Sequence, residues 1–481
     1  MLSKMKEVFV ISDLHVGGAA PQGNDTRGFQ ICTQTAILAD FIYNLAARKD
    51  AYIELIINGD VIDFLAERPF AAFTPTPTEA VAKLRQIVER EYQFFDSLKA
   101  LLEADHQLTI LLGNHDIELA LPAVRAYFEQ AIGALGRNYH FIGNGEAYTI
   151  GNEVLIEHGN RYDEWNAVDY ANLQELAISQ SRRETNNNFN PPKGSRMVEE
   201  VINQIKEKYR FIDLLKPETG AVMPILLALE PSYRKNISKI LSIYWQLNTK
   251  QYTDSIKALV ASRSLGLPED REVSEEELGD RLIEQELTKM LKEDAEVEAF
   301  KESAGIEQEM NITEKGNLPA GERGFFSTAV SFVDLLFRNN KSDIDKRLPS
   351  LYQALSALQT DRSFDPSREN LKEYLTAAQK LADNGFKYIL FGHTHFARKV
   401  ALKTPGTYYF NSGTWADLMQ IPPDLLTAET EDAAFPLLRN FMSDLMGNKI
   451  DKHIVFKPTY IHIQLNKAGR VSGIDLKTYE C

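Results

Sequence analysis

Cysteine is nearly absent from the 481-residue chain, which holds only Cys32 and Cys481. Two thiols so far apart form neither a disulfide framework nor the paired spacing of a structural zinc or iron–sulfur site. A reducing, cytoplasmic setting is the natural expectation. Long hydrophobic runs are also missing, and PILLALE (224–230) is far shorter than a membrane span. The amino-terminal MLSKMKEVFVISDLH has one short apolar run that passes straight into charged residues, so it reads as a first strand and not as a secretory signal. Positive charge is in deficit, with a formal net charge of −15. So acidic a surface repels phosphate backbones at long range and disfavours a general nucleic-acid coat, yet it permits a local cationic or metal-lined cleft. Internal repeats and long low-complexity tracts are absent as well.

What is present alternates between strand and helix over the first 160 residues. EVFVISD (7–13), IELIINGD (53–60) and QLTILLGN (107–114) are apolar, β-rich runs that stop at polar turns, with helical patterns between them. EAYTI and NEVLIEHGN follow, joined by the turn Gly151-Asn152. After Trp165 the pattern is mostly helical to about Asn384, and strand character returns at FKYILFGHTH (386–395), KVALK, TYYFNSGTW and YIHIQLN. The expectation is a layered α/β domain (1–163 and 386–481) interrupted by a large, mostly helical insertion (164–385) that serves as a lid or assembly surface. Within the insertion, the acidic stretch 269–302 reads as a solvated helix face. Phe326, Val330, Val333 and Phe337 share one helical face, which fits a core, a substrate groove or a surface for a homo-oligomer or protein partner.

The strand ends carry the chemistry. Asp13 and His15 follow the first strand and Asp60 the second; Asn114, His115 and Asp116 follow the third, His158 a fourth, and His393 and His395 a fifth. In open α/β sheets ligands bind outside the carboxyl ends of the strands, so one rim gathers these side chains. Five of the nine histidines stand there, the others being His106, His140, His453 and His462. Imidazoles, carboxylates and an amide carbonyl suit divalent ions such as Mn²⁺, Zn²⁺, Fe²⁺ or Ni²⁺, with Mn²⁺ the first choice. The spacings DxH and HxH place two groups on one side of an extended segment. Asp13, His15, Asp60, Asn114, His158, His393 and His395 are too many for one ion but suit two that share a carboxylate, an arrangement able to hold a hydroxide nucleophile and neutralise a phosphate. Hydrolysis of phosphoesters is the reaction class that follows. Capping by Asn114, Asp116 or Asp60 and a satisfied core histidine at 158 are the competing explanations.

The ordered series DLH, NGD, GNHD, EHGN and GHTH resembles the calcineurin-like metallophosphoesterases over residues 7–163 and 386–415. The resemblance implies an αββα sandwich with Asp13, His15 and His395 on one metal, Asn114, His158 and His393 on the other, and Asp60 bridging. It implies that His115 assists the leaving oxygen and that Asp116 orients His115. Asp63 could support a ligand, Arg161 could reach substrate phosphate, and Asn411 could brace the GHTH turn. The spacing of the motifs is most similar to the branch that includes UDP-2,3-diacylglucosamine pyrophosphohydrolases, although the insertion here is far longer. A phosphodiesterase or pyrophosphohydrolase is the favoured activity. The alternatives are a metal-dependent nuclease and a partner-binding protein whose insertion carries the main function.

Overall fold

The computed structural model describes residues 5–21, 28–184, 188–216, 221–230, 344–356, 364–428 and 430–480. Residues 269–302 and the face carrying Phe326 and Phe337 lie outside them.

Two sheets form the centre. The first has the order β14 (Val471–Thr478), β13 (Thr459–Leu465), β1 (Met5–Ile11), β2 (Ala51–Asn58), β3 (Gln107–Leu111) and β4 (Tyr139–Ile142), with β1 to β4 parallel and β13 and β14 antiparallel at one edge. The second has the order β5 (Tyr148–Ile150), β6 (Val154–Ile156), β8 (Tyr388–Phe391), β10 (Tyr408–Ser412) and β9 (Ala397–Ala401), in which β6, β8 and β10 run parallel. Three shorter strands complete the set: β7 (Leu215–Lys216), β11 (Leu418–Gln420) and β12 (Ile454–Val455).

Alternation along each strand sets the layers. Val8, Val10, Ile56 and Leu111 of the first sheet meet Val154, Ile156, Leu390 and Phe410 of the second. The opposite face of the first sheet, including Phe9, Ile11, Leu55 and Ile110, packs against α1 (Thr35–Ala46), α2 (Pro77–Arg90), α3 (Tyr92–Glu103) and α4 (Pro122–Ala131). Leu155, Ile389, Phe391 and Tyr409 of the second sheet cover the helix Lys372–Asp383. Burial on both faces explains why these strands read as unbroken apolar runs. The architecture is therefore the layered αββα sandwich.

Compact units divide the chain at other places than its strand signals suggest. One unit contains Met1–Leu215, Arg362–Gln420 and Ile450–Cys481; the other contains Lys216–Asp361 and Ile421–Lys449. Helix α5 (Tyr170–Ser181) buries Leu173 and Leu176 in the core under the first sheet, and the helix Lys372–Asp383 is an outer layer of the second. Such helices carry no strand signal, so by sequence they merge with the insertion. The described segments of the second unit are helical, with helices at Leu348–Ser356 and Glu431–Met446, and Tyr352 donates to Ala428 O at 3.0 Å. Among the described residues no helix is long and apolar enough to cross a membrane.

One buried carboxyl gives the sandwich a pH signature. Glu118 accepts the Thr74 N–H at 2.9 Å, and burial pushes its pKa up to about 7 against the opposing charge of Lys83. A raised folded-state pKa contributes stability that is complete below about pH 4.5 and is lost as pH rises through 7. Glu118→Gln should flatten the dependence of Tm on pH between 5 and 8, removing on the order of 2–3 kcal/mol of variation. Thermal unfolding at the two pH values checks this, and an unchanged slope would contradict it.

Candidate metal centre

The loops after β1, β2, β3, β6 and β8 meet at one rim. Ligand atoms within 4.8 Å of one another occur in three groups: Asp13 with His15 and His395, His15 with Asp60 and His115, and Asp60 with His158 and His393. Asp60 and His15 each join two groups. His15 Nε2 lies 3.0 Å from His395 Nε2, His395 Nε2 is 3.5 Å from Asp13 Oδ1, and His158 Nε2 is 3.2 Å from Asp60 Oδ2. Asn114 is buried nearby in sequence, and its Oδ1 has no hydrogen-bond partner.

The backbone at these positions is not extended. Asp13, His15, Asp60, His393 and His395 have φ of 53°, 48°, 52°, 69° and 63°. They account for five of the eight non-glycine residues with positive φ among the described ones. Left-handed conformations cost an L-residue about 1–2 kcal/mol each and gather at functional sites. The expected alternation along an extended DxH or HxH segment is therefore replaced by tight turns beyond Ile11 and Phe391, which aim the side chains by a different route.

Three glycines make room for the cluster. A Cβ at Gly113 would stand 2.1 Å from Asp60 Oδ1, one at Gly59 would stand 2.3 Å from His158 Nδ1, and one at Gly392 would stand 2.7 Å from Asp13 Oδ2. Hydrogen bonds fix the loops to each other. Asp60 Oδ1 accepts the His115 N–H at 2.8 Å, and the Asp13 carboxylate accepts the His393 N–H at 2.9–3.0 Å. Ser12 Oγ donates to Asp13 Oδ2 at 2.5 Å and lies 2.6 Å from Ser412 Oγ, while Thr414 donates to Asp13 O at 2.6 Å. Asn411 Nδ2 donates to Gly392 O at 2.6 Å and Thr394 Oγ1 at 3.1 Å, so it braces the GHTH turn.

The donor set fits divalent ions. His158 Nδ1 lies 2.7 Å from Asn58 O, which fixes the ring with Nε2 turned toward Asp60, the nitrogen that would face a cation. That Nε2 and Asn114 Oδ1 are buried without a hydrogen bond, an uncommon condition that a cation would relieve. Four carboxylates, Asp13, Asp60, Asp63 and Asp116, are buried here. Burial raises the Asp13 pKa to about 6 despite His158. Burial opposes protonation of His158, but Asp60 and Asp13 prevail and carry it up to about 10. His15 is pushed down to about 4 by burial and by His115. Negative charge so concentrated calls for cations.

His115 departs from its expected arrangement. Its Nδ1 lies 3.3 Å from Asp63 Oδ1, so the carboxylate against the imidazole is Asp63. Burial disfavours the charged ring, yet Asp60 and Asp63 raise it to about 9. Asp116 instead accepts two backbone N–H groups, from Val61 and Gly113, each at 2.7 Å. It staples the Asp60 loop to the Asn114 loop and makes no helix cap. Sequence adjacency to His115 suggested the wrong partner; the NGDVID turn supplies the right one. Arg161, itself exposed, donates to Gly145 O and pairs with the buried Glu157 at 3.5 Å.

Asp163 escaped sequence reasoning. Its Oδ2 lies 3.0 Å from His393 Nε2, and the Trp165 N–H at 2.9 Å and the Asn166 amide at 2.7 Å hold the carboxylate in place. Its only signal was a place five residues after His158. Carboxylates that orient a ligating imidazole typically change metal affinity about 10–100-fold when removed. Asp163→Ala should weaken metal binding by that order, read by competition with a chelator. Unaltered affinity would leave Asp163 a loop residue.

The family model described as calcineurin-like phosphoesterase matches residues 6–215. No curated protein matches the chain. Over those residues, which are under half of the chain, the sequence is similar to calcineurin-like phosphoesterases, and the His/Asp groups at the rim are of a kind that could hold metal ions. It ends at Leu215, where the first segment of the sandwich unit also ends. His393 and His395 lie outside the matched residues and reach the site through β8.

Proposed function

We propose that the protein is a dinuclear metal-dependent phosphodiesterase or pyrophosphohydrolase. The observation that carries this reading is the chain of three His/Asp groups joined through Asp60 and His15. In it Asp13, His15 and His395 would hold one ion and Asn114, His158 and His393 the other, with Asp60 available to both. Mn²⁺, Zn²⁺, Fe²⁺ and Ni²⁺ all suit these nitrogen and oxygen donors, with Mn²⁺ the first choice. The ions would supply a nucleophilic water at neutral pH and positive charge for the phosphate oxygens.

The protein's own groups do the rest. Asp63 holds the His115 ring at Nδ1 and stabilises its charged form, leaving Nε2 to pass a proton to the departing oxygen. Leaving groups of high pKa depend on that proton most, which favours diesters that expel an alkoxide, while anhydrides depend on it less.

The test couples metal content to turnover. Purified protein and His115→Ala are assayed on bis(p-nitrophenyl) phosphate and p-nitrophenyl phosphate after metal analysis. About two ions per chain and faster diester than monoester cleavage are the expected results, with a small loss in the variant on these p-nitrophenyl substrates and a loss of about 10²–10⁴-fold on a diester whose leaving group has a high pKa. Absence of bound metal would overturn the reading.

A further inference from the structure

The first sheet ends on an open strand. Among the described residues β14 has no strand beyond it. Its eight residues make it the longest of the four edges of the two central sheets, since β4, β5 and β9 have four, three and five. It carries no proline. A long edge without such a block is a template for another strand, because every second residue turns its N–H and C=O outward.

Hydrogen bonding identifies the outward residues. Tyr479 N donates to Pro458 O at 2.8 Å, so these two form a bonded pair between the strands. Bonded and non-bonded pairs alternate in an antiparallel ladder. Lys477 opposite Tyr460 and Asp475 opposite His462 are therefore bonded pairs, while Ile474, Leu476 and Thr478 turn their backbone groups away from β13. Leu476 N shows the result, for its acceptor is a side-chain oxygen, Asp475 Oδ1, at 3.1 Å. The Ile474 and Leu476 side chains pack against the core between the sheets and are half-buried.

Charge then selects a register. A second strand bonds only when outward residues face outward residues, and a two-fold axis between two copies of β14 satisfies this at several positions. An axis at residue 475 opposes Asp475 to itself, and one at 477 opposes Lys477 to itself. An axis at Ile474 sets both charges against uncharged residues, Gly473 and Val471. An axis at Leu476 sets Asp475 opposite Lys477 of the second copy, twice over. Like charges directly opposite destabilise a strand pair and unlike charges stabilise it. In the Leu476 register the two charges also form the non-bonded pairs, in which side chains stand closest. Lys477, which guards the edge against most incoming strands, thus favours this one.

The present partners of both charges are weak. Asp475 meets Lys399 Nζ of β9 at 2.7 Å, with both side chains exposed (55% and 45%), and Lys477 Nζ lies 3.2 Å from His462 Nδ1 at the surface. Exposed contacts of this kind contribute little, so they yield readily.

We infer that β14 is an interface for a second copy of this chain, pairing antiparallel about Leu476 so that the first sheet runs on through both copies. The inference goes beyond the catalytic reading and does not depend on it.

Sedimentation equilibrium of the full-length protein between about 1 and 100 µM tests it. A single strand pair buries less than the roughly 1,200 Å² of a stable complex, so a reversible dimer with a dissociation constant on the order of 10 µM is expected. Asp475→Lys and Lys477→Asp should each weaken association by at least about 10-fold, because each sets like charges together at both contacts. The two substitutions combined should restore it to within about 3-fold. Thr478→Pro, which removes an outward N–H and no bond to β13, should leave a monomer. All three positions are exposed, and thermal unfolding confirms that each variant is folded. A wild type that stays monomeric throughout would overturn the interface. So would a dimer that the single charge reversals or Thr478→Pro leave intact, or a loss that the combined variant does not restore.

Discussion

Gly113→Ala should empty the metal centre although it removes no donor atom. The new Cβ would lie 2.1 Å from Asp60 Oδ1 and 2.4 Å from Asp60 N, so the backbone that carries the shared carboxylate has to move. Nothing in the glycine's own conformation objects to alanine, because its φ is not in the left-handed region. The damage is therefore confined to the cluster. Displacing a reacting group by about 1 Å commonly costs about 10²-fold in rate, and here the displaced group is shared by two of the His/Asp groups. Metal analysis should find less than half the wild-type content, and diester turnover should fall by at least about 10²-fold. Gly392→Ala presses on side-chain atoms and not on the backbone, Asp13 Oδ2 and Ser12 Oγ at 2.7 Å and Ser12 Cβ at 2.9 Å, and should be milder. Wild-type metal content in Gly113→Ala would show that the rim yields more readily than its packing implies.

Asp63→Asn and Asp116→Asn should separate two kinds of failure. Without the Asp63 charge the His115 ring loses its orienting partner, so turnover should fall by about 10²–10⁴-fold for diesters whose leaving groups have high pKa. For p-nitrophenolate, which needs no proton, the fall should be small, and metal content should stay near normal. An amide at position 116 keeps two acceptor lone pairs but cannot serve both the Val61 and Gly113 N–H groups as the carboxylate does. That variant should lower Tm and metal content together. The assignment fails if Asp116→Asn keeps its Tm and metal but loses turnover while Asp63→Asn behaves as the wild type.

The layers and the rim were legible in the sequence because burial on both faces writes itself as apolar runs and because polar residues stopped those runs abruptly. Asp60, His158 and the GHTH pair could be located from strand ends alone. The turn geometry could not: left-handed φ at five aspartates and histidines violates local preference, and only the surrounding hydrogen bonds impose it. Partnerships across loops were equally hidden. Asp63 and His115 are 52 residues apart, whereas Asp116 was adjacent and misleading. Asp163 gave no pattern because its loop has no periodicity. The outer helices α5 and Lys372–Asp383 could not be assigned to the sandwich, since an amphipathic stripe does not say which sheet it will cover.

The order of the strands has a consequence for synthesis. β6 and β8 lie side by side in the second sheet, yet the ribosome completes β6 at Ile156 and reaches β8 only at Tyr388. Closing so long a gap adds only about 1–2 kcal/mol over a loop of some forty residues, because the cost grows with the logarithm of length. The delay is in time and not in stability. During elongation Asp13, His15, Asp60, Asn114 and His158 are made well before His393 and His395, which follow β8. In the reading proposed above, the donor set would thus be complete only once the four-residue strand β8 has been added beside β6.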